Sequence, residues 1–193
     1  MSESTGRSHI LAGIFIGGQS TRMGGSPKGL LRAPSGETLV LRWKHLFDDL
    51  SIPSVLVGNI DVYESTGLSR IDDAARGIGP LGGLTALLER AGHSFALSVA
   101  CDMPYVSAAL LAKLADHPSP APAVAPRQGT LWQPLFARYR ADQVLGVARA
   151  CVERGVHSLQ ALLDELGATP LLLDANERAE LRDWDTPEDV ARE

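Results

Sequence analysis

Apolar residues along this chain follow two rhythms. Unbroken runs of strand length occur at residues 10–16 (ILAGIFI), 52–58 (IPSVLVG) and 94–100 (SFALSVA). Such runs, with little polar alternation, predict strands covered on both faces, as in a parallel sheet. Between them the spacing changes to three and four. Leu39, Trp43, Leu46, Phe47 and Leu50 share one face of a predicted helix over 38–50 with Thr38 at its N-cap, and Leu84, Leu87 and Leu88 share one over 84–91. Ser107 is placed to cap a further helix that runs to Asp116 and turns Leu110, Leu111 and Leu114 inward.

The proline-rich tract 117–129 holds an Ala-Val-Ala centre that reads as a strand rather than a linker, and residues 132–139 (WQPLFARY) read as another strand. Helices are expected over 141–152 and 158–166, a strand over 170–173, and a last helix from Pro187, after an extended piece ending in the acid Asp185. Strands alternating with helices predict an α/β fold, a Rossmann-like three-layer sandwich with a mostly parallel sheet, whose ligands lie beyond the carboxyl ends of the strands. Residues 1–9 are expected to form a disordered lead-in and 10–193 a single domain, because 193 residues suffice for one sizeable core and are few for two.

Composition narrows the function. Hydrophobic residues make up 45% and charged residues 21%, and no apolar run approaches the roughly 20 residues a membrane helix requires. The polar start MSESTGRSH does not read as a signal peptide, so no membrane contact and a cytoplasmic location are expected. A formal net charge of -5 speaks against a nucleic-acid partner, because such a surface repels a phosphate backbone. Cys101 and Cys151 form no CxxC pair and are expected to be buried small hydrophobes.

Candidate chemistry concentrates after the first strand. The loop GGQSTRMGGSPKG carries glycines that let backbone N–H groups approach an anion, with Arg22 and Lys28 as the charges a polyphosphate needs. It fits neither common nucleotide fingerprint: Lys28 stands between Pro27 and Gly29 rather than in G-K-[S/T], and Gly17-Gly18-Gln19-Ser20 breaks G-x-G-x-x-G. Downstream, GPLGG at 79–83 leads into a helix, Asp102 follows the third run, and Asp185 ends a later one.

The pattern G-G-x-S-x-R-M-G-x-x-x-K resembles the signature of the nucleotidyltransferase superfamily, and within it the molybdenum cofactor guanylyltransferases, or MobA-like proteins. Asp73 ahead of GPLGG, CDMPYV at 101–106, Gln133-Pro134-Leu135-Phe136, HSLQALLDELGA at 157–168 and Asp183-x-Asp185-Thr-Pro-Glu-Asp extend the likeness, in order, over nearly the whole chain. The resemblance implies transfer of GMP from GTP to molybdopterin or the molybdenum cofactor, with release of pyrophosphate and with Mg²⁺ as the metal. It also implies transient contact with proteins that make or accept the cofactor.

Residue by residue, the resemblance assigns Gly17, Gly18 and Ser20 to the nucleotide, and Arg22 and Lys28 to the triphosphate. Asp73 and the segment Gly79, Pro80, Leu81 and Gly82 seat the guanosine, and Asp102 with Asp185 holds Mg²⁺; Arg22, Lys28 and Asp102 are the catalytic set. Of the neighbours Asp72 and Asp73, the spacing to Gly79 favours Asp73. Gln133 reads equally as an exposed strand amide or as a contact to acceptor or base, and acceptor contacts are expected around it and residues 153–158. His157 reads as a surface residue, Trp132 and Trp184 as packing. The acid pair Asp183 and Asp185 stands where guanylyltransferases often have two asparagines and resembles the related cytidylyltransferases. A cytidylyltransferase, or a nucleotide-binding or carrier protein without turnover, is the alternative.

Overall fold

The computed structural model describes residues 7–17, 27–59, 61–73, 77–186 and 189–190. Among the described residues eight strands belong to one sheet: β1 Ile10–Phe15, β2 Ser54–Val57, β3 Arg70–Ile71, β4 Phe95–Ala100, β5 Ala123–Gln128, β6 Leu131–Trp132, β7 Phe136–Arg140 and β8 Thr169–Leu171. The helices that accompany them include α1 Leu39–Asp49, α2 Pro80–Ala91, α3 Ala108–Ala115, α4 Ala141–Glu153, α5 Leu159–Glu165 and α6 Ala175–Glu180. The strand order is β3-β2-β1-β4-β7-β5-β6, with β8 also paired to β5. β1 pairs in parallel with β2 on one side and β4 on the other, so the chain winds outward in both directions from this central strand. The expected α/β class and mostly parallel sheet are what the chain adopts.

Alternate residues of β1 supply two cores. Ile10, Ala12 and Ile14 join Trp43 and Phe47 of α1 and Leu110 and Leu114 of α3. Phe15 joins Leu84 and Leu88 of α2, Val144 of α4 and Leu162 of α5 on the other face. Gly13 faces this second layer, where an added Cβ would stand 2.6 Å from Leu87 Cδ2 and 2.8 Å from Val57 Cγ2. The missing side chain lets α2 lie close against the centre of the sheet.

Three expectations change. The run 132–139 is not one strand: Pro134 has no N–H for the ladder, a turn at 133–135 divides β6 from β7, and the Phe136 N–H donates to the Gln133 carbonyl at 3.1 Å. With no helical crossover in the stretch 123–140, β7 runs antiparallel to both β4 and β5. The segment Pro80–Gly83 is not a turn before a helix but the first turn of α2, with Pro80 at its start and Gly79 just outside it at φ +68°. Residues 7–9, expected to be disordered, form a 3₁₀ turn, and the Arg7 guanidinium pairs with Asp116 at 2.7 Å.

Several polar groups find partners close by. The Ser107 hydroxyl accepts from the Leu110 N–H, and Ser158 caps α5 in the same way through Ala161. Arg138 of β7, almost wholly buried, donates to the carbonyls of Ala115, His117 and Ser119. Its guanidinium lies 4.6 Å from the Phe95 ring centre. Burial, helped by neighbouring Arg140, lowers its pKa, and the carbonyls at the end of α3 compensate the charge. Cys101 and Cys151 are free and buried, as expected.

Candidate active site

The loops that follow β1, β2, β3 and β4 all leave the sheet at the same edge, because these four strands are parallel. Lys28 re-enters this edge after the glycine loop, at the start of the short 3₁₀ turn Lys28–Leu30. The next residue holds it there. An added Cβ on Gly29 would meet Val40 Cγ2 at 2.5 Å and the Tyr63 hydroxyl at 2.8 Å, so only glycine fits between α1 and that tyrosine. The Gly29 N–H donates to the buried Tyr63 hydroxyl at 3.1 Å. Burial, with the nearby Cys101, raises the pKa of Tyr63 and keeps its phenol neutral.

Anchored this way, Lys28 reaches two carboxylates from distant parts of the chain. Its Nζ donates to Asp102 Oδ2 at 2.7 Å and to Asp185 Oδ1 at 2.6 Å. Asp102 follows β4 directly, where the Cys101 N–H donates to the Phe15 carbonyl at 3.1 Å. Asp185 arrives through Trp184, whose backbone N–H donates to the Asp102 carbonyl at 2.9 Å. The Trp184 ring is buried, donates its indole N–H to the Tyr105 hydroxyl at 3.1 Å, and meets that ring edge to face at 6.2 Å. Asp189 closes the segment by accepting from the Asp185 and Thr186 N–H groups and the Thr186 hydroxyl.

Charge at this point is mixed. Burial works against the Lys28 ammonium, but hydrogen bonds and attraction to Asp102 and Asp185 outweigh it, so Lys28 titrates above an ordinary lysine. Burial pushes the Asp183 carboxyl up, aided by the like charges of Asp185 and Asp102. Among the described residues no group of three or more carboxylate, histidine or cysteine side chains is arranged to hold a metal. Two convergent carboxylates nevertheless fit Mg²⁺, which takes one or two protein carboxylates and fills its shell with water and substrate phosphate. Between these two carboxylates stands the Lys28 ammonium.

On the other side of β1 the edge is made of backbone. Gly58, at φ +123° directly after β2, lies so close to Gly17 that an added Cβ would stand 3.3 Å from the Gly17 nitrogen. Asp73 follows β3, and its Oδ1 lies 3.1 Å from where a Cβ on Gly83 would be. Partial burial and then the neighbouring Asp72 raise its pKa. Gly17, Asp73 and the N-terminus of α2 thus share one edge. Leu81 sends its side chain wholly into the core and Gly82, expected at the nucleotide, is buried beside it where α2 packs on the sheet, which leaves Gly79 and Pro80 exposed at the start of α2 to face a ligand. Gly18, Ser20 and Arg22 lie outside the described residues.

The far end of the edge holds a cavity of ≈ 530 Å³ between β5, β6, β8 and α6, whose lining includes Arg127, Trp132, Gln133, Gln160, Arg178 and Arg182. Trp132 is clamped there. Gln160 accepts from its backbone N–H at 2.8 Å and donates to its carbonyl at 2.7 Å, while the indole N–H donates to Asp164 at 2.7 Å. The Arg127 guanidinium lies 4.7 Å from the ring centre. Gln133 therefore faces a cavity, whereas residues 153–158 do not line it and His157 is exposed at the surface. Sequence reasoning passed over Tyr63, Gly29, Gly58, Tyr105 and the three arginines. For α6 a signal was present: Asp174-x-x-Glu177 forms a complete capping box.

Comparison with known proteins gives a consistent result. The sequence model of the MobA-like NTP transferase domain matches residues 12–169. A molybdenum cofactor guanylyltransferase of Pseudomonas entomophila (strain L48) is 33% identical over 184 residues, covering 91% of this chain and 93% of its own. One from Pseudomonas putida (strain GB-1) is 35% identical over 182 residues, covering 91% and 92%. Among solved structures, molybdopterin-guanine dinucleotide biosynthesis protein A from Archaeoglobus fulgidus superposes with a TM-score of 0.77 at 19% identity, over 94% of this chain and 95% of that one. At that identity the likeness speaks for the fold. No helix among the described residues is long and apolar enough to cross a membrane.

Proposed function

This chain belongs to the MobA-like NTP transferase domain family, and on that premise we propose that it transfers GMP from GTP to the terminal phosphate of molybdopterin or the molybdenum cofactor. A phosphate oxygen of the acceptor attacks the α-phosphorus of GTP, the bond from that phosphorus to the β-phosphate oxygen breaks, and pyrophosphate leaves. No protein nucleophile is needed, so positioning and charge neutralisation carry the catalysis. The observation that carries the reading is the convergence of Lys28, Asp102 and Asp185 at the carboxyl edge of the sheet, in a chain about one-third identical to named guanylyltransferases.

Each residue has a defined task. Gly17, Gly18 and Ser20 bind the nucleotide, Asp73 and the start of α2 seat the guanosine, and Arg22 and Lys28 neutralise the triphosphate and the departing pyrophosphate. Mg²⁺, held by Asp102 and Asp185, supplies further charge neutralisation when bound. The cavity beside Trp132 suits the acceptor: Arg127, Arg178 and Arg182 offer positive charge to its phosphate and Gln133 offers a polar contact to its ring system, while the buried indole, as expected a packing residue, supports Arg127 from below. We place the reaction in the cytoplasm, independent of membrane and nucleic acid.

The acid pair Asp183 and Asp185 is what a cytidylyltransferase reading draws on. Pyrophosphate release from purified protein, acceptor and Mg²⁺, supplied with GTP or CTP in turn, decides between them. Turnover with GTP and little with CTP is expected; turnover with CTP and none with GTP would overturn the base assignment. Binding of GTP without turnover under any condition would leave a carrier instead.

A further inference from the structure

Resting on the metal assignment above, we infer that Lys28 is a built-in counter-ion that occupies the divalent-cation position between Asp102 and Asp185, so that the metal is captured only together with the nucleotide. The geometry is specific. One ammonium donates to both carboxylates at 2.7 and 2.6 Å, and both it and Asp102 are mostly shielded, with side-chain exposures of 19% and 16%. Divalent magnesium sits at about 2.0–2.1 Å from its oxygen ligands. An ammonium in contact with both inner oxygens therefore excludes the ion from the space between them.

The lysine is also held in place from behind. Gly29 is wedged between Val40 and Tyr63, and its N–H is bonded to the Tyr63 hydroxyl, so the backbone carrying Lys28 is fixed and a shift of the ammonium falls to the rotatable bonds of its four-carbon stem. Without nucleotide, the ammonium satisfies the two acids and free metal must displace a charge-assisted pair of hydrogen bonds. A triphosphate offers Lys28 a more highly charged acceptor. As the ammonium moves onto phosphate, both carboxylates are released for the metal, which the phosphates also ligate. Nucleotide and metal then bind with positive coupling, and by linkage each raises the affinity of the other equally. The consequence is an order of events: the acids are not preloaded with metal, and the metal arrives with the phosphates it must neutralise.

Mn²⁺ serves as the probe, with protein-bound ion followed by electron paramagnetic resonance and water-proton relaxation on the full chain. Without nucleotide, Lys28→Met and Lys28→Gln should bind Mn²⁺ about tenfold or more tightly than the unsubstituted protein, the scale of losing one charge-assisted contact. A GTP analogue with a carbon bridge between the α- and β-phosphates should bring the unsubstituted protein to comparable affinity, and Asp102→Asn should remove that gain. Thermal melting of each variant checks the fold, and the two neutral replacements guard against failure of either one. Nucleotide-free Mn²⁺ binding equally tight with and without Lys28 overturns the counter-ion role while leaving the metal site standing. A protein-bound Mn²⁺ signal unchanged by Asp102→Asn, with and without analogue, overturns the metal assignment itself.

Discussion

The two ends of the carboxyl edge are made of different material. Beside β1, β2 and β3 it is backbone: Gly17 against Gly58, Gly79 at a positive φ, and Gly83 pressed onto Val57 and Phe15 so that Asp73 sits beside the first turn of α2. Beside β5, β6 and β8 it is long side chains, with Arg127, Arg178, Arg182, Trp132 and Gln133 around an open cavity. A backbone surface can meet features common to every nucleotide, and at Gly58 and Gly83 it has little room for a side chain. A side-chain surface can be retuned one residue at a time. Lys28, Asp102 and Asp185 stand where the two meet, which is where a bond between two substrates must form.

Substitutions at the junction should have the largest effect. Asp102→Asn is expected to lower pyrophosphate release about 10²–10³-fold, the range for losing a preorganised charge-stabilising group, with a near-unchanged melting temperature. If turnover survives, the junction is not where the chemistry lies. Gly83→Ala should be next. Its Cβ would stand 2.7 Å from Val57 Cγ1, so overpacking should destabilise the protein by about 1–3 kcal/mol in denaturant melts and raise the KM for nucleotide.

Arg127→Ala is the matched test on the other end. Arg127 is exposed and rests on the Trp132 ring. Its loss should raise the KM for acceptor about tenfold while sparing both nucleotide KM and stability, as removal of one cation from a wet anion site does. An effect on the nucleotide instead would erase the division between the two ends.

Tyr63→Phe takes away the only hydroxyl that accepts from the buried Gly29 N–H among the described contacts, and should cost about 1–2 kcal/mol in chemical denaturation. The smallest effect expected is a pH slope. Burial, then Arg138 and Lys113, lowers the pKa of His117, whose Nδ1 accepts from the Ser119 N–H. With the folded value below the unfolded 6.5, this contribution to stability is complete above that pH and is lost as pH falls through the folded value. Melting of His117→Gln against the unsubstituted chain between about pH 5 and 8 should show the difference narrowing toward acid.

Local signals were readable where the physics is local. A hydroxyl that caps the next turn needs no distant partner, so Ser107 marks α3 from sequence alone. Uninterrupted β-branched and aliphatic runs likewise located β1, β2 and β4. The reading failed where one residue serves two purposes. Gly82 and Gly83 suggest a turn, yet they lie inside α2 because close packing on β1 and β2 outweighs their cost in helix propensity. Pro134 broke a strand that its apolar neighbours appeared to continue.

The sequence alone determined the chemistry available: a glycine loop with Arg22 and Lys28, acids at 73, 102 and 185, and an alternation of elements that brings such loops to one edge. Those residue types in that order are also what the family resemblance rested on. Only the tertiary structure decided that Lys28 stands between Asp102 and Asp185, 74 and 157 residues away along the chain. It alone placed Tyr63 behind the lysine and Trp184 behind both acids. The reason is that spacing along a chain encodes contacts within a turn or two of a helix or strand. Which carboxylate meets which ammonium is set by the sheet order and by the buried rings that pack the intervening loops.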